Sequence, residues 1–260
     1  MKYFLSRKNS LKALLEGKSV YLFLDFDGTL APIVNKPGKA ILPKKTKEIL
    51  KGLAESAGFK IAIVSGRTAR DVEKRVGLKN VIYVGNHGFE IIGPKIRLRR
   101  RLPLRYRRVI GRIKNDLARG LFSFGGVLIE DKGFSLAVHY RMARKGDISA
   151  IKKIFNSIVL PYVRRNWIKV NPGKMIAEIK PGTSWNKGSA VLWLLSKLKK
   201  ASKGAKALPI YIGDDVTDED AFMALENKGI TVMVGKPKRS KASFYLRGTE
   251  DVARFLNALF

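Results

Sequence analysis

The chain has 260 residues, a formal net charge of +31, 45% apolar residues and no cysteine. That length and apolar share support a buried core in one large domain or two modest ones and exclude wholesale disorder. Without cysteine, disulfides and thiolate chemistry are excluded; no apolar run reaches a membrane span, and Met1 to Lys18 is too charged for a secretory segment, so a cytoplasmic protein is expected.

Val20 to Leu24 is apolar without alternation, the pattern of a strand buried on both faces of a parallel sheet. It runs into Asp25-Phe26-Asp27-Gly28-Thr29-Leu30, and the crevice beyond the carboxyl ends of such strands is where ligands sit. Asp25 therefore stands where a nucleophile or metal ligand belongs, although a lone D-x-D can equally cap a turn. Lys45 to Ala57 carries a helical apolar stripe, and Phe59 to Val64 is a second strand ending at Ser65-Gly66-Arg67. A helix over Thr68 to Val76 and a strand over Val81 to Val84 follow, the latter ending at Gly85-Asn86-His87-Gly88. This is the β-α-β-α-β alternation of a parallel sheet covered by helices.

The pattern then changes. Arg97 to Arg108 is a basic run leading into a helix that reaches Leu117. Gly126 to Glu130 and Phe134 to Arg141 read as paired strands about the turn Asp131-Lys132-Gly133. A helix over Ile148 to Val159 and a second hairpin, Trp167 to Val170 with Met175 to Ile179, complete an antiparallel α+β layer. Lys187 to Leu198 is helical, Pro209 to Ile212 is a strand ending at Gly213-Asp214-Asp215, and Asp218 to Leu225 is a helix. Strands over Ile230 to Val234 and Phe244 to Leu246 precede a C-terminal helix from Glu250. The expected architecture is thus an α/β parallel-sheet core over 1–93 and 181–260, with an α+β domain inserted over 94–180.

Asp25 with Asp27, then Ser65, Lys187, and Asp214, Asp215 and Asp218 all fall at strand ends or helix starts of the core. Each alone has an ordinary reading: Asp218 as a helix cap, Ser65 as an N-cap, Lys187 as a surface lysine. Together, carboxylates gathered at one sheet edge repel one another unless a cation sits among them, and all-oxygen ligation favours Mg²⁺. An Asp can attack phosphorus, a second carboxylate can protonate the leaving oxygen and then activate water, and a lysine, a hydroxyl and backbone amides can hold the phosphoryl oxygens. Those are the parts of an aspartyl-phosphate hydrolase.

D-F-D-G-T-L, S-G-R, N-K-G and G-D-D-V-T-D-E-D resemble, in order, the four motifs of the haloacid dehalogenase (HAD) superfamily of phosphatases. Within it the chain is similar to the trehalose-6-phosphate phosphatases, from about Val20 to Val234, including N-H-G-F-E and E-D-K-G-F-S-L-A-V-H-Y-R. The resemblance implies a Rossmann-like HAD core, and the long stretch between Ser65 and Lys187 corresponds to a cap placed after the second motif, expected to exclude water from the site. It implies Asp25 as nucleophile and Asp27 as general acid/base. Mg²⁺ would be held by Asp25, the Asp27 carbonyl and Asp214, with Asp215 and Asp218 acting nearby or through water, and Ser65 and Lys187 on the phosphoryl group. Thr29, Gly66, Arg67 and His87 are expected beside the substrate, and Glu130, Lys132 and Glu178, with Arg141 in support, on the distal sugar. Glu130 and Lys132 can also be plain hairpin-turn charges, and His87 a structural histidine.

The charge departs from the family pattern. Such a field attracts polyanions, but the Arg97–Arg108 run reads more simply as a solvated basic face, with Tyr106 its single aromatic, so no specific nucleic-acid partner and no membrane are expected. Glutamine is absent as well as cysteine, which beside abundant Lys and Arg fits a protein selected for heat. The expected substrate is a small sugar phosphate and the expected state a monomer. Rival readings are a phosphatase of another glycosyl phosphate (sucrose, glucosylglycerol or mannosylglycerate type) and a nucleic-acid binder on this scaffold.

Overall fold

The computed structural model describes residues 1–7, 15–34, 37–102, 104–173, 175–201, 206–236 and 239–259. They divide into two compact units, Met1–Arg99 with Trp185–Phe260, and Arg100–Ser184. Strands β1 (Lys2–Tyr3), β2 (Lys18–Leu24), β3 (Phe59–Val64), β4 (Val81–Gly85), β5 (Glu90–Gly93) and β6 (Ile96–Arg99) open the first unit. The second unit holds β7 (Leu128–Asp131), β8 (Leu136–His139), β9 (Ile168–Gly173) and β10 (Ile176–Pro181), and the first resumes with β11 (Lys206–Gly213), β12 (Ile230–Val234) and β13 (Phe244–Leu246). The helices are α1 (Lys44–Glu55), α2 (Ala69–Val76), α3 (Leu104–Gly120), α4 (Ile148–Arg164), α5 (Lys187–Ala201), α6 (Glu219–Ala224) and α7 (Thr249–Asn257).

Among the described residues the first unit forms a nine-stranded sheet in the order β1-β13-β12-β11-β2-β3-β4-β5-β6. It is parallel from β1 to β4, and β5 and β6 extend it antiparallel. The lack of alternation in β2 has a direct cause. Val20, Leu22 and Leu24 pack into one apolar layer with Leu50 and Leu53 of α1 and Phe255 of α7. Tyr21 and Phe23 pack into the opposite layer with Leu194 of α5 and Phe222 of α6. Both faces are buried, so each alternate side chain is apolar. β2 lies between β11 and β3, where the order of connections reverses, and the ligand crevice of an open α/β sheet forms at such a point.

In the second unit, β7-β8-β10-β9 form an antiparallel sheet. Tyr106, Val109, Ile113 and Leu117 of α3, and Ile151, Phe155 and Val159 of α4, are its buried helical stripes. The Tyr106 hydroxyl donates to the Phe134 carbonyl at 2.9 Å, so this aromatic belongs to the core and offers no stacking surface.

Several expected boundaries are corrected. The chain leaves the core sheet after Arg99, later than the expected exit near Pro94, because Ile96–Arg99 returns along β5 with Ile96 and Leu98 half-buried and Arg97 and Arg99 exposed. The basic run is therefore divided between β6 and α3, and Pro103 within it lies outside the described residues. The second unit ends at Ser184, beyond the expected return at Pro181. Helix α4 continues through Pro161 to Arg164. Strand β11 begins at Lys206, well before Pro209.

Candidate active site

The carboxyl ends of four neighbouring strands, β11, β2, β3 and β4, carry the expected core residues. Asp25 directly follows β2, and its N–H donates to the Ile212 carbonyl of β11 at 2.9 Å, so the strand pairing itself fixes its backbone. Gly28 (φ +87°) turns the chain just beyond, and a Cβ there would run into the Asp214 carboxylate. That position accepts only glycine, on conformation and on space alike. Thr29 is fully buried and donates to Asp214 Oδ1 at 3.2 Å, so it holds a carboxylate rather than lying open to a substrate.

Lys187 reaches this edge from the first turn of α5. Asn186 caps that helix, its Oδ1 accepting the Ser189 N–H at 2.9 Å. A cation at the positive end of a helix is unfavourable, and here two carboxylates outweigh that cost. Lys187 Nζ donates to Asp25 Oδ1 at 2.8 Å and to Asp218 Oδ1 at 2.7 Å, with all three side chains buried. Burial works against the ammonium charge, but Asp218 and Asp25 more than offset it and hold the lysine protonated far above its usual range.

Carboxylate oxygens of Asp25, Asp214 and Asp218 all lie within 4.8 Å of one another. Burial pushes Asp25 up, Lys187 pulls it back, and Asp218 and Asp214 add to the upward push. Asp214 is pushed up to about 7, by burial first and then by Asp218 and Asp215, against Lys187 and the Thr29 hydroxyl. Three carboxylates and one ammonium give the group a formal charge of minus two. Hard oxygen donors carrying that charge suit a hard divalent cation, which would relieve the strain of gathering them.

Asp27 and Asp215 stand outside this grouping. Arg67 clasps both oxygens of Asp27, Nε to Oδ2 and Nη2 to Oδ1, each at 2.6 Å, and its Nη1 donates to Asp71 Oδ2 at 3.0 Å. Asp215 is exposed and caps the 3₁₀ turn Val216–Asp218, while Asp218 Oδ2 accepts the Asp215 N–H at 3.0 Å. Asp218 stands at the N-cap position of α6 as expected but makes no side-chain cap bond to that helix; its side chain instead completes a capping box with Asp215 one turn earlier. Asp218 has its Oδ1 shared between Lys187 and the Tyr211 hydroxyl, the latter at 2.7 Å, so its oxygens orient the lysine. Thr68, not Ser65, caps α2, accepting the Asp71 N–H at 3.2 Å. Ser65 is buried, and its hydroxyl accepts the Arg67 N–H at 3.1 Å.

The N-H-G turn folds back on the Ser65–Arg67 loop. The Asn86 N–H donates to the Arg67 carbonyl at 2.6 Å and the His87 N–H to the Ser65 carbonyl at 3.0 Å. Asn86 (φ 50°) and His87 (φ 54°) are both left-handed, an uncommon pair for residues with side chains. The His87 ring lies against Gly66, where a Cβ would approach it to 2.7 Å.

In the second unit, Lys132 Nζ donates to Glu178 Oε1 at 3.0 Å, Ser135 Oγ donates to the same oxygen at 3.2 Å, and Lys180 Nζ lies 3.3 Å from Oε2. His139 Nε2 is 2.9 Å from Glu130 Oε2. Lys132 is an inward-turned partner of a buried carboxylate rather than a loose turn charge. Arg141 follows β8 in a turn, half-buried. Sequence reasoning missed Asp71, Tyr211, Ser135, His139 and Lys180. Tyr211 was hidden as one more apolar residue of a buried strand, whereas Asp71 stands four residues from both Arg67 and Arg75, a helical ion-pair spacing that could have been found.

Comparison with known proteins identifies the family. Residues 23–250 match the profile of the trehalose-phosphatase family. The chain is 34% identical over 271 residues to trehalose 6-phosphate phosphatase RA3 of Zea mays, covering 98% of this chain and 73% of that protein. It is similar to the solved C-terminal domain of C. albicans trehalose-6-phosphate phosphatase, at 26% identity and a TM-score of 0.83 over 99% of this chain and 98% of that one. A haloacid dehalogenase-like hydrolase from B. subtilis, 14% identical, shares the fold alone, with a TM-score of 0.62 over 92% of this chain and 99% of that one. No helix among the described residues is long and apolar enough to cross a membrane. With its α/β core, its acidic edge and a match across nearly its whole length, the chain belongs to the trehalose-phosphatase family.

Proposed function

We propose that the protein is a Mg²⁺-dependent phosphatase that hydrolyses trehalose 6-phosphate to trehalose and phosphate through an aspartyl-phosphate on Asp25. The observation that carries this reading is the buried Asp25 carboxylate, aimed from the centre of the sheet and held by Lys187 at 2.8 Å. A carboxylate oxygen of Asp25 attacks phosphorus, and the bond from phosphorus to the sugar oxygen breaks. Asp27 supplies the proton to the departing oxygen and afterwards takes one from the water that attacks the aspartyl-phosphate, releasing phosphate and restoring Asp25. Arg67 fixes Asp27 for both tasks and must yield one of its hydrogen bonds when Asp27 carries the proton. Lys187 and Ser65 bind the phosphoryl oxygens, and His87 and Gly66 border them.

Mg²⁺ would be held by Asp25, Asp214 and the Asp27 carbonyl, with Asp218 behind them and Asp215 at the rim, and bound there it supplies positive charge against the phosphoryl oxygens. Glu130, Lys132 and Glu178 read the distal sugar, with Arg141 beside them, since carboxylates and an ammonium match the donors and acceptors of sugar hydroxyls. A cytoplasmic monomer with no specific nucleic-acid partner fits this role.

The substrate assignment is tested on the second unit. Alanine at Glu130, Lys132 or Glu178 is expected to lower kcat/KM for trehalose 6-phosphate by about ten- to a hundredfold each, because charged hydrogen bonds to the remote sugar help to reach the transition state. Turnover of p-nitrophenyl phosphate, which has no distal sugar, should be nearly unchanged. Equal losses on both substrates indicate a damaged fold, and no loss on either means that the sugar is read elsewhere.

A further inference from the structure

Strand β8 runs through the middle of the second unit's sheet, between β7 and β10. Alternation sends Leu136 and Val138 to one face and Ser135, Ala137 and His139 to the other. Ala137 stands opposite both Glu130 of β7 and Glu178 of β10. The two polar residues on either side of that alanine each reach one glutamate: Ser135 Oγ donates to Glu178 Oε1 at 3.2 Å, and His139 Nε2 lies 2.9 Å from Glu130 Oε2. The two glutamates differ in burial. Glu178 is buried and takes Lys132 and Lys180 as well as Ser135, so its place is over-determined. Glu130 lies on an edge strand with its side chain 39% exposed, against 18% for His139. A long carboxylate on an edge has rotamer freedom to lose, and a half-buried imidazole on the neighbouring strand can remove that freedom before any ligand arrives.

We propose that His139 is a positioning residue that acts through Glu130 and sets that carboxylate to receive the distal sugar's hydroxyls. The proposal rests on the reading above that Glu130 contacts the sugar. Because a carboxylate only accepts, the proton between them belongs to Nε2, and Nε2–H donates to Oε2. The effect appears in kcat/KM for the sugar phosphate rather than in phosphoryl chemistry.

The test measures kcat/KM on trehalose 6-phosphate and on p-nitrophenyl phosphate for His139→Ala, His139→Gln, Glu130→Ala and the Glu130→Ala/His139→Ala double variant. His139→Ala is expected to lose about tenfold on trehalose 6-phosphate alone, mostly in KM. His139→Gln, whose amide donates from nearly the same place, should recover to within about threefold of the parent. In the Glu130→Ala background, removing His139 should cost nothing further, since its only route of action is gone. If His139→Ala lowers Tm, His139→Leu keeps the bulk beside Leu128 and Ile176 without the donor and carries the same comparison. No loss in His139→Ala, an equal loss on both substrates, or a further loss in the double variant overturns the proposal. Failure of the parent protein to turn over trehalose 6-phosphate overturns the substrate reading instead, and the two failures cannot be confused.

Discussion

Replacing Asp25 with asparagine is expected to lower turnover on every phosphate ester at least about a thousandfold, while leaving the protein folded. The substitution keeps the shape at the end of β2 and removes only the attacking charge. Lys187 does not become an unpaired buried cation, because Asp218 still accepts from it at 2.7 Å. The variant also relieves the crowding of Asp25 with Asp214 and Asp218, so Tm should hold or rise. Steady-state phosphate release together with thermal unfolding checks both halves. Activity within about tenfold of the parent sinks Asp25 as nucleophile.

Lys187→Met should combine the loss of turnover with a large loss of stability. Methionine fills much of the same volume but leaves Asp25 and Asp218 buried without their ammonium. Removing one partner of a buried ion pair costs about 3–5 kcal/mol, chiefly as the penalty of the stranded charge. The sign with pH follows from the directions of the shifts. Asp25 already titrates above its usual range with Lys187 present, and without it climbs further, so the variant's deficit grows as pH rises through that raised value and shrinks towards acid, where the carboxyl is neutral. Denaturant unfolding of the metal-free protein at about pH 5 and pH 8 measures this. A variant as stable as the parent at both pH values would mean that Lys187 is not the counter-charge of this edge.

The contrast between these two residues shows what the sequence could and could not carry. The buried strands were readable because Phe59–Val64 and Ile230–Val234, interrupted only by Lys60 and Thr231, and Phe244–Leu246 are apolar runs bounded by turn residues. The hairpin of β5 and β6 was not recognised, although Ile96-Arg97-Leu98-Arg99 alternates strictly, because the arginines drew it into the basic run. In the site, spacing placed Asp25, Ser65, Lys187 and Asp214 at strand and helix ends, but similar aspartates have different tasks that only packing decides. Asp214 faces Asp25, Asp215 caps a turn in solvent, and Asp218 lies buried under Lys187 and Tyr211. The clasp of Arg67 on Asp27 joins residues far apart in sequence, and no local pattern announces it. The support of Glu130 by His139 depends on the register of β7 against β8, which a list of strands does not contain.

The central claim is tested most directly by phosphate release from a panel of sugar phosphates, measured in chelator and then with Mg²⁺ restored. The panel pairs trehalose 6-phosphate with sucrose, glucosylglycerol and mannosylglycerate phosphates and with glucose 6-phosphate. The expected result is no release in chelator, recovery with Mg²⁺, and a kcat/KM for trehalose 6-phosphate at least about tenfold above the others. Release that persists in chelator would contradict the acidic edge as a metal site, and a preference for another sugar would contradict the substrate.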